Sequence, residues 1–288
     1  MNTLAERMDA VGTEIRGPSA LGSDPKRLLR LTWALGVTEF RLKFFGSALG
    51  YLWQLMRPLM LFGVLYGVFS VFLNISEKIR FYPVALLLGI VLYSFFNEAT
   101  SSSVRSLVNR ENLVRKVEFP RLAVPLSTVL TALFNLGLNL IPVAIFLLIA
   151  GGTPRLSWLQ LPLLVGILAL FALGLAMLLS VLFVRYRDIE PIWDVVLQVA
   201  FYATPIFYPV ELLIDKGHPG LAKILECNPL AAVIQQARHG FIDPSHASIS
   251  TALGSYALIL VPLALVVLAV GVGFTVFDRQ APRVAEEL

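Results

Sequence analysis

Six stretches of this chain run without a single Asp, Glu, Lys or Arg: 58–76, 81–97, 122–154, 156–184, 195–210 and 244–277. An ionised side chain in the middle of a bilayer costs a few kcal/mol or more, so such runs mark where a chain can cross one. A spanning helix needs about 20 mainly apolar residues. The runs 122–154, 156–184 and 244–277 each hold one span, and 58–76 and 81–97 do so if their ends extend into 51–57 and 98–103. The sixth run is shorter and carries Pro205 and Pro209, each of which removes a backbone donor and disfavours helix before it. Helix there starts near Ile189 and is interrupted before the far side.

Composition agrees: 57% of the 288 residues are hydrophobic and 15% are charged, against about 25% charged in soluble domains. The fold class expected is an all-α integral membrane protein with six transmembrane helices in one domain, 24–280, between polar tails at 1–23 and 281–288. Residues 205–241 alternate apolar patches with charge, Gly and Pro, which suits short re-entrant or rim helices. Broken backbone at membrane depth is tolerated only against protein or a water-filled cavity.

With six crossings, 16 of the 23 Lys and Arg fall on one side, and positive-inside logic makes that side cytoplasmic, with both termini. The localisation expected is the cytoplasmic membrane, multi-pass. Ahead of the first span, 24–46 opens on Asp24 as N-cap and Pro25 at the first helical position. It sets Leu28, Leu31, Leu35 and Leu42 on one ridge and Trp33, Val37, Phe40 and Phe44 on another, an amphipathic helix for the membrane boundary.

Several chemistries are excluded or disfavoured. No Lys is followed by Ser or Thr, so the phosphate loop of an ATPase is missing. His218, His239 and His246 have no spaced Cys or carboxylate partners, and Cys227 is the one cysteine; no metal site is expected. Glu98 with Asn97, Arg57, and Asp194 lie near the inner ends of spans, where snorkelling or pairing between helices accounts for them. No catalytic residue, cofactor or nucleic-acid partner is expected of this chain. The energy source expected is another subunit.

Three stretches carry a resemblance: "FRLKFFGSALGYLWQLMRPLM" at 40–60, "LVRKVEFPRLAVPLSTVLTALFNL" at 113–136, and "RDIEPIWDVVLQVAFYATPIFYPVELL" at 187–213 with "NPLAAVIQQAR" at 228–238. Over about 25–280 the chain resembles the membrane subunit of type-2 ABC exporters for polysaccharides, the O-antigen and teichoic-acid permease family. The resemblance implies a homodimer on two copies of a cytoplasmic ABC ATPase that binds the ATP and Mg, with a channel between the copies for a lipid-linked polysaccharide.

It also implies residue roles. The stretch 109–119 corresponds to the coupling helix docked in the ATPase; Asn109 or Asn112 can cap it, Leu113 and Val117 give it an apolar side, and Arg110, Glu111, Arg115 and Lys116 supply polar anchors. Leu49 and Gly50 match a Leu-Gly loop where the lipid phosphates would be admitted, beside Arg41, Lys43 and Arg57. Aromatic rings that could stack on sugar are Trp53, Tyr66 and Phe69 in the first span, Tyr93 in the second, and Trp193, Phe201 and Tyr202 in the fifth. Phe207, Tyr208 and Pro209 would form an outer gate. Export of drugs or unmodified lipids, a membrane-embedded glycolipid enzyme and an interaction scaffold are the competing readings.

Overall fold

The computed structural model describes residues 24–45, 50–74, 79–112 and 119–282, and among these every regular element is helical. Among the described residues five helices are long and apolar enough to cross a membrane: Leu52–Phe72, Tyr82–Val104, Ala123–Ile149, Leu156–Arg185 and Ala257–Gln280.

Helix α1 (Pro25–Phe44) begins as its sequence dictates, with Asp24 accepting from the Lys26 N–H at 2.8 Å and Pro25 at the first position. It leans on the third long helix through Leu28, Thr32 and Gly36, its buried residues. This line is narrower than the two ridges read from sequence, and Trp33 and Leu42 stay exposed. The reason is closeness: Gly36 lies against Leu130, and its carbonyl accepts from the Thr131 hydroxyl at 3.2 Å, an approach that small residues permit.

Helix α2 (Leu52–Tyr66) runs into a π-helical turn, Gly67–Phe72. Helix α3 (Tyr82–Val104) is the hub, with 78% of its apolar window buried against 11% for α2; it packs on α2 and on α4 (Ala123–Ile149), α5 (Gln160–Arg185) and α6 (Ile189–Ala203). The last long helix, α11 (Leu260–Gln280), crosses α5 at two glycines. A Cβ on Gly273 would stand 2.0 Å from the Gly174 carbonyl oxygen, so the two backbones touch.

Helix α6 starts at Ile189, as the sequence suggests, and stops at Ala203, before Pro205. Its 15 residues rise about 22 Å at 1.5 Å per residue, short of a hydrocarbon core about 30 Å thick. Beyond it come four short helices: α7 (Val210–Asp215), α8 (Pro219–Glu226), α9 (Pro229–Ala237) and α10 (Ile249–Leu253). Helix α9 is almost wholly buried and packs on α3, α5 and α11.

Two of the carbonyls freed by the proline-broken segment go to one side chain. Arg238, at 3% exposure, donates to the carbonyls of Pro205 at 2.8 Å, Ile206 at 2.5 Å and Ala85 at 3.4 Å. A planar guanidinium with five donors suits such a clasp. Sequence reasoning counted Arg238 only as a charge on the outer side. Glu226 lies buried near it with neither oxygen hydrogen-bonded.

Burial pushes the Glu226 carboxyl up to about 8 from 4.5 against the pull of Arg238. Burial, aided by Arg238, takes His246 from 6.5 down to about 4. From pH 4.5 to 8 the folded chain therefore keeps on Glu226 a proton that the unfolded chain has released, and stability falls as pH rises. His246 acts oppositely, adding stability from pH 4 to 6.5. Of the two, Glu226 alone titrates above 6.5, so the unfolding midpoint in detergent should drop between pH 6.5 and 8. Glu226→Gln should flatten that drop; an unchanged slope would contradict the assignment.

Candidate functional site

Polar residues on α3 recur one turn apart: Ser94, Glu98 and Ser102 on one line, Asn97 and Ser101 on the next, the spacing that puts residues on one helix face. Two cavities open along this face. The larger, about 700 Å³, lies between α2, α3 and α6 and includes Arg57, Tyr93, Asn97, Gln198, Phe201 and Tyr202 in its lining. The smaller, about 340 Å³, is lined by Arg105, Ser106, Asn109, Arg110, Thr128 and Glu39 among others. Lys43, Glu98, Ser101 and Ser102 line both.

Glu98 organises the junction. Its carboxylate is ion-paired with Lys43 at the end of α1 and accepts from Asn135 of α4 at 2.5 Å and from Gln54 of α2 at 3.4 Å. Four helices thus converge on one half-buried charge. Asp194 and Arg57 line the larger cavity with Glu98, so the ionisable groups read from sequence as separate exceptions lie around a single space.

The aromatic candidates divide. Tyr93, Phe201 and Tyr202 line the chamber; the Tyr93 hydroxyl donates to the Leu197 carbonyl at 2.5 Å, and Tyr202 is 61% exposed. Trp193 turns away, donating to Thr100 at 3.1 Å and packing beside Val104, Leu179 and Phe183. Trp53 and Tyr66 are exposed and line none of these walls. Phe69 packs on Phe207 at 5.0 Å between ring centres, and Phe207 reaches Phe201, Tyr202 and Tyr208 at 6.0, 6.1 and 5.1 Å. These rings form one cluster at the chamber's end. Pro209 starts α7, and the Phe207 carbonyl accepts from Tyr82 at 2.5 Å.

Of the basic candidates, Lys43 and Arg57 line the chamber, while Arg41 is exposed elsewhere on α1. Gly50 turns with φ of 47°, in the region that favours glycine. Leu49, Leu113, Arg115, Lys116 and Val117 lie outside the described residues. Arg110 ends a 3-10 turn, Val108–Arg110, followed by a half-buried Glu111 and an exposed Asn112. Its guanidinium faces inward, paired with Glu39 of α1 and donating to Ser127 at 2.9 Å, and burial lowers its pKa to about 10. Arg105, at the end of α3, is bound to Glu190 in the first turn of α6 at 2.6 Å.

Sequence reasoning missed Ser94, Ser101, Ser102, Gln54, Asn139 and Gln198 as chamber walls. The signal was present as helical periodicity: Asp194, Gln198 and Tyr202 also stand four apart. Among the described residues no group of three or more potential metal ligands comes together.

The family model described as "ABC-2 type transporter" matches residues 30–242. An O-antigen export system permease protein RfbA of Klebsiella pneumoniae is 28% identical over 251 residues, 87% of this chain and 92% of that protein. A protein of the same name from Myxococcus xanthus is 28% identical over 196 residues, 68% of this chain and 74% of that one. The polysialic acid transport protein KpsM of Escherichia coli is 24% identical over 233 residues, 78% and 86% of the respective chains.

Proposed function

This chain belongs to the ABC-2 type transporter family, and we propose that it moves a lipid-linked cell-envelope polysaccharide through a channel between two copies of itself. As a permease subunit it is not an enzyme, and ATP is hydrolysed by a separate partner. Its relatives are named for export of O-antigen and transport of polysialic acid, which favours a polysaccharide over a drug or an unmodified lipid.

The observation that carries the reading is the chamber itself. Its wall sets rings (Tyr93, Phe201, Tyr202) beside neutral hydrogen-bonding groups (Asn97, Gln198), with the charges of Lys43, Arg57, Glu98 and Asp194 among them. A pyranose has an apolar face that lies on a ring while its hydroxyls reach polar neighbours, so such a wall holds a sugar chain loosely at every step. Helix α2 is almost uncovered, which supports a second copy closing the chamber from that side. Helix α6 and the bent 204–206 together run from the Arg105–Glu190 contact to the Arg238 clasp, and this supports a sixth, broken crossing. Both termini and 104–121 are then cytoplasmic.

The coupling stretch 109–119 would take the push of two ATPase copies holding ATP and Mg. Its N-terminal end is tied to the bundle by Arg110–Glu39 and Arg105–Glu190, which would carry that push to α1 and α6. Leu49 and Gly50, with Lys43 and Arg57, would meet the lipid phosphates, and the Phe207 cluster would close the outer end.

The test is a comparison of rings. Phe201→Ala and Tyr202→Ala should each slow export in reconstituted vesicles up to about tenfold, since an aromatic contact contributes roughly 0.5–1.5 kcal/mol. Tyr256→Ala, an exposed ring outside the chamber and away from α2, should export at the parental rate. Equal rates in all three would remove the stacking wall.

A further inference from the structure

The Lys43–Glu98 pair occupies the one place where the 340 Å³ and 700 Å³ cavities share residues. Lys43 is the last basic residue of α1, and Gln54, which also binds Glu98, is in the first turn of α2. The two residues flank the turn at Gly50. Glu98 is also held by Asn135 of α4, so this acceptor stays fixed if Lys43 leaves. The Lys43 side chain is 36% exposed against 19% for Glu98; the lysine is the partner that an incoming anion can reach.

We propose that the Lys43–Glu98 pair is an anion-operated bar between the inner vestibule and the chamber: a phosphate group takes Lys43 from Glu98 and thereby opens the passage. This rests on the export reading above and adds how the passage knows that substrate has arrived. A phosphate oxyanion that has no other partner is a stronger acceptor for an ammonium than a carboxylate already shared with Asn135 and Gln54. Once Lys43 turns to the phosphate, Glu98 keeps its two amide donors and its place, so the bar re-forms when the anion moves on. In the resting state the bar limits leakage of small solutes through a pore wide enough for sugar.

The test places a single cysteine at Gln198, which lines only the larger cavity, in a Cys227→Ser background of the complete permease–ATPase complex in vesicles. A membrane-impermeant maleimide is applied from the cytoplasmic side. Labelling should be slow at rest and about tenfold faster with farnesyl pyrophosphate, the factor that follows from a shift of 1.4 kcal/mol. Inorganic pyrophosphate should act similarly if the phosphates alone operate the bar, and farnesol should have no effect. Acceleration by farnesol as well would overturn the anion mechanism.

Glu98→Gln, which keeps the shape and one acceptor oxygen for Asn135, should label fast with or without the anion, and Lys43→Met should do the same. Rates that are equal at rest, with anion and in both variants would refute the bar. That failure would leave the export reading standing if ATP-driven polysaccharide movement persisted, whereas loss of that movement in the parental complex would remove the reading itself.

Discussion

Arg238→Met should destabilise the folded chain by about 3–5 kcal/mol, the range seen when one partner of a buried charged network is removed. The side chain is 3% exposed and satisfies the carbonyls of Pro205 and Ile206, which no helix serves, while also reaching that of Ala85 in α3. The first two lie where the prolines have broken the helix; stripped of a donor, each costs roughly 1–3 kcal/mol. Methionine fills the volume and donates nothing. Arg238→Lys should recover part of the loss, because one ammonium cannot span the sites that a planar fork reaches. The checks are the thermal unfolding midpoint in detergent and the rate of proteolysis at 204–209. A methionine variant that melts with the parent and resists protease equally would show that the clasp is dispensable.

Gly273→Val should be as damaging. A Cβ there would lie 2.0 Å from the Gly174 oxygen, and one on Gly174 would lie 2.5 Å from the Ala269 carbonyl carbon. Neither obstacle is a side chain that can rotate away, so α5 and α11 must separate along their whole contact. Overpacking against movable neighbours already costs about 1–3 kcal/mol, and against backbone the upper end or more is expected. Gly271, two residues earlier, has nothing within 4 Å, and Gly271→Val should leave folded yield unchanged. Equal yields for the two valine variants, read by size-exclusion profile, would refute the close crossing.

Much of the bundle was legible before any coordinates. Charge-free runs locate crossings because ionised groups are costly in hydrocarbon, and the five longest helices follow those runs. Asp24 and Pro25 gave the start of α1 for the same reason in miniature: a cap and a fixed φ act locally. The face that α1 buries was not legible, since Leu28, Thr32 and Gly36 are chosen by how near α4 can come. The site shows the same split. Arg57, Glu98 and Asp194 could be singled out one at a time, but their meeting around one chamber depends on how α2, α3 and α6 are rotated. The clasp made by Arg238 was not legible because an outer-side charge and a buried clasp look alike until the broken segment is seen beside it.

The central claim is that a separate ATPase drives a polysaccharide through the chamber of this chain. Its most direct measurement uses vesicles that contain the purified chain with its ATPase partner and a lipid-linked glycan labelled on the sugar, and follows how much glycan becomes accessible to a glycosidase on the far side. The account predicts that glycan appears there only with hydrolysable ATP and both subunits present, and that Phe201→Ala and Tyr202→Ala slow it. Equal appearance without ATP or without the partner would contradict it.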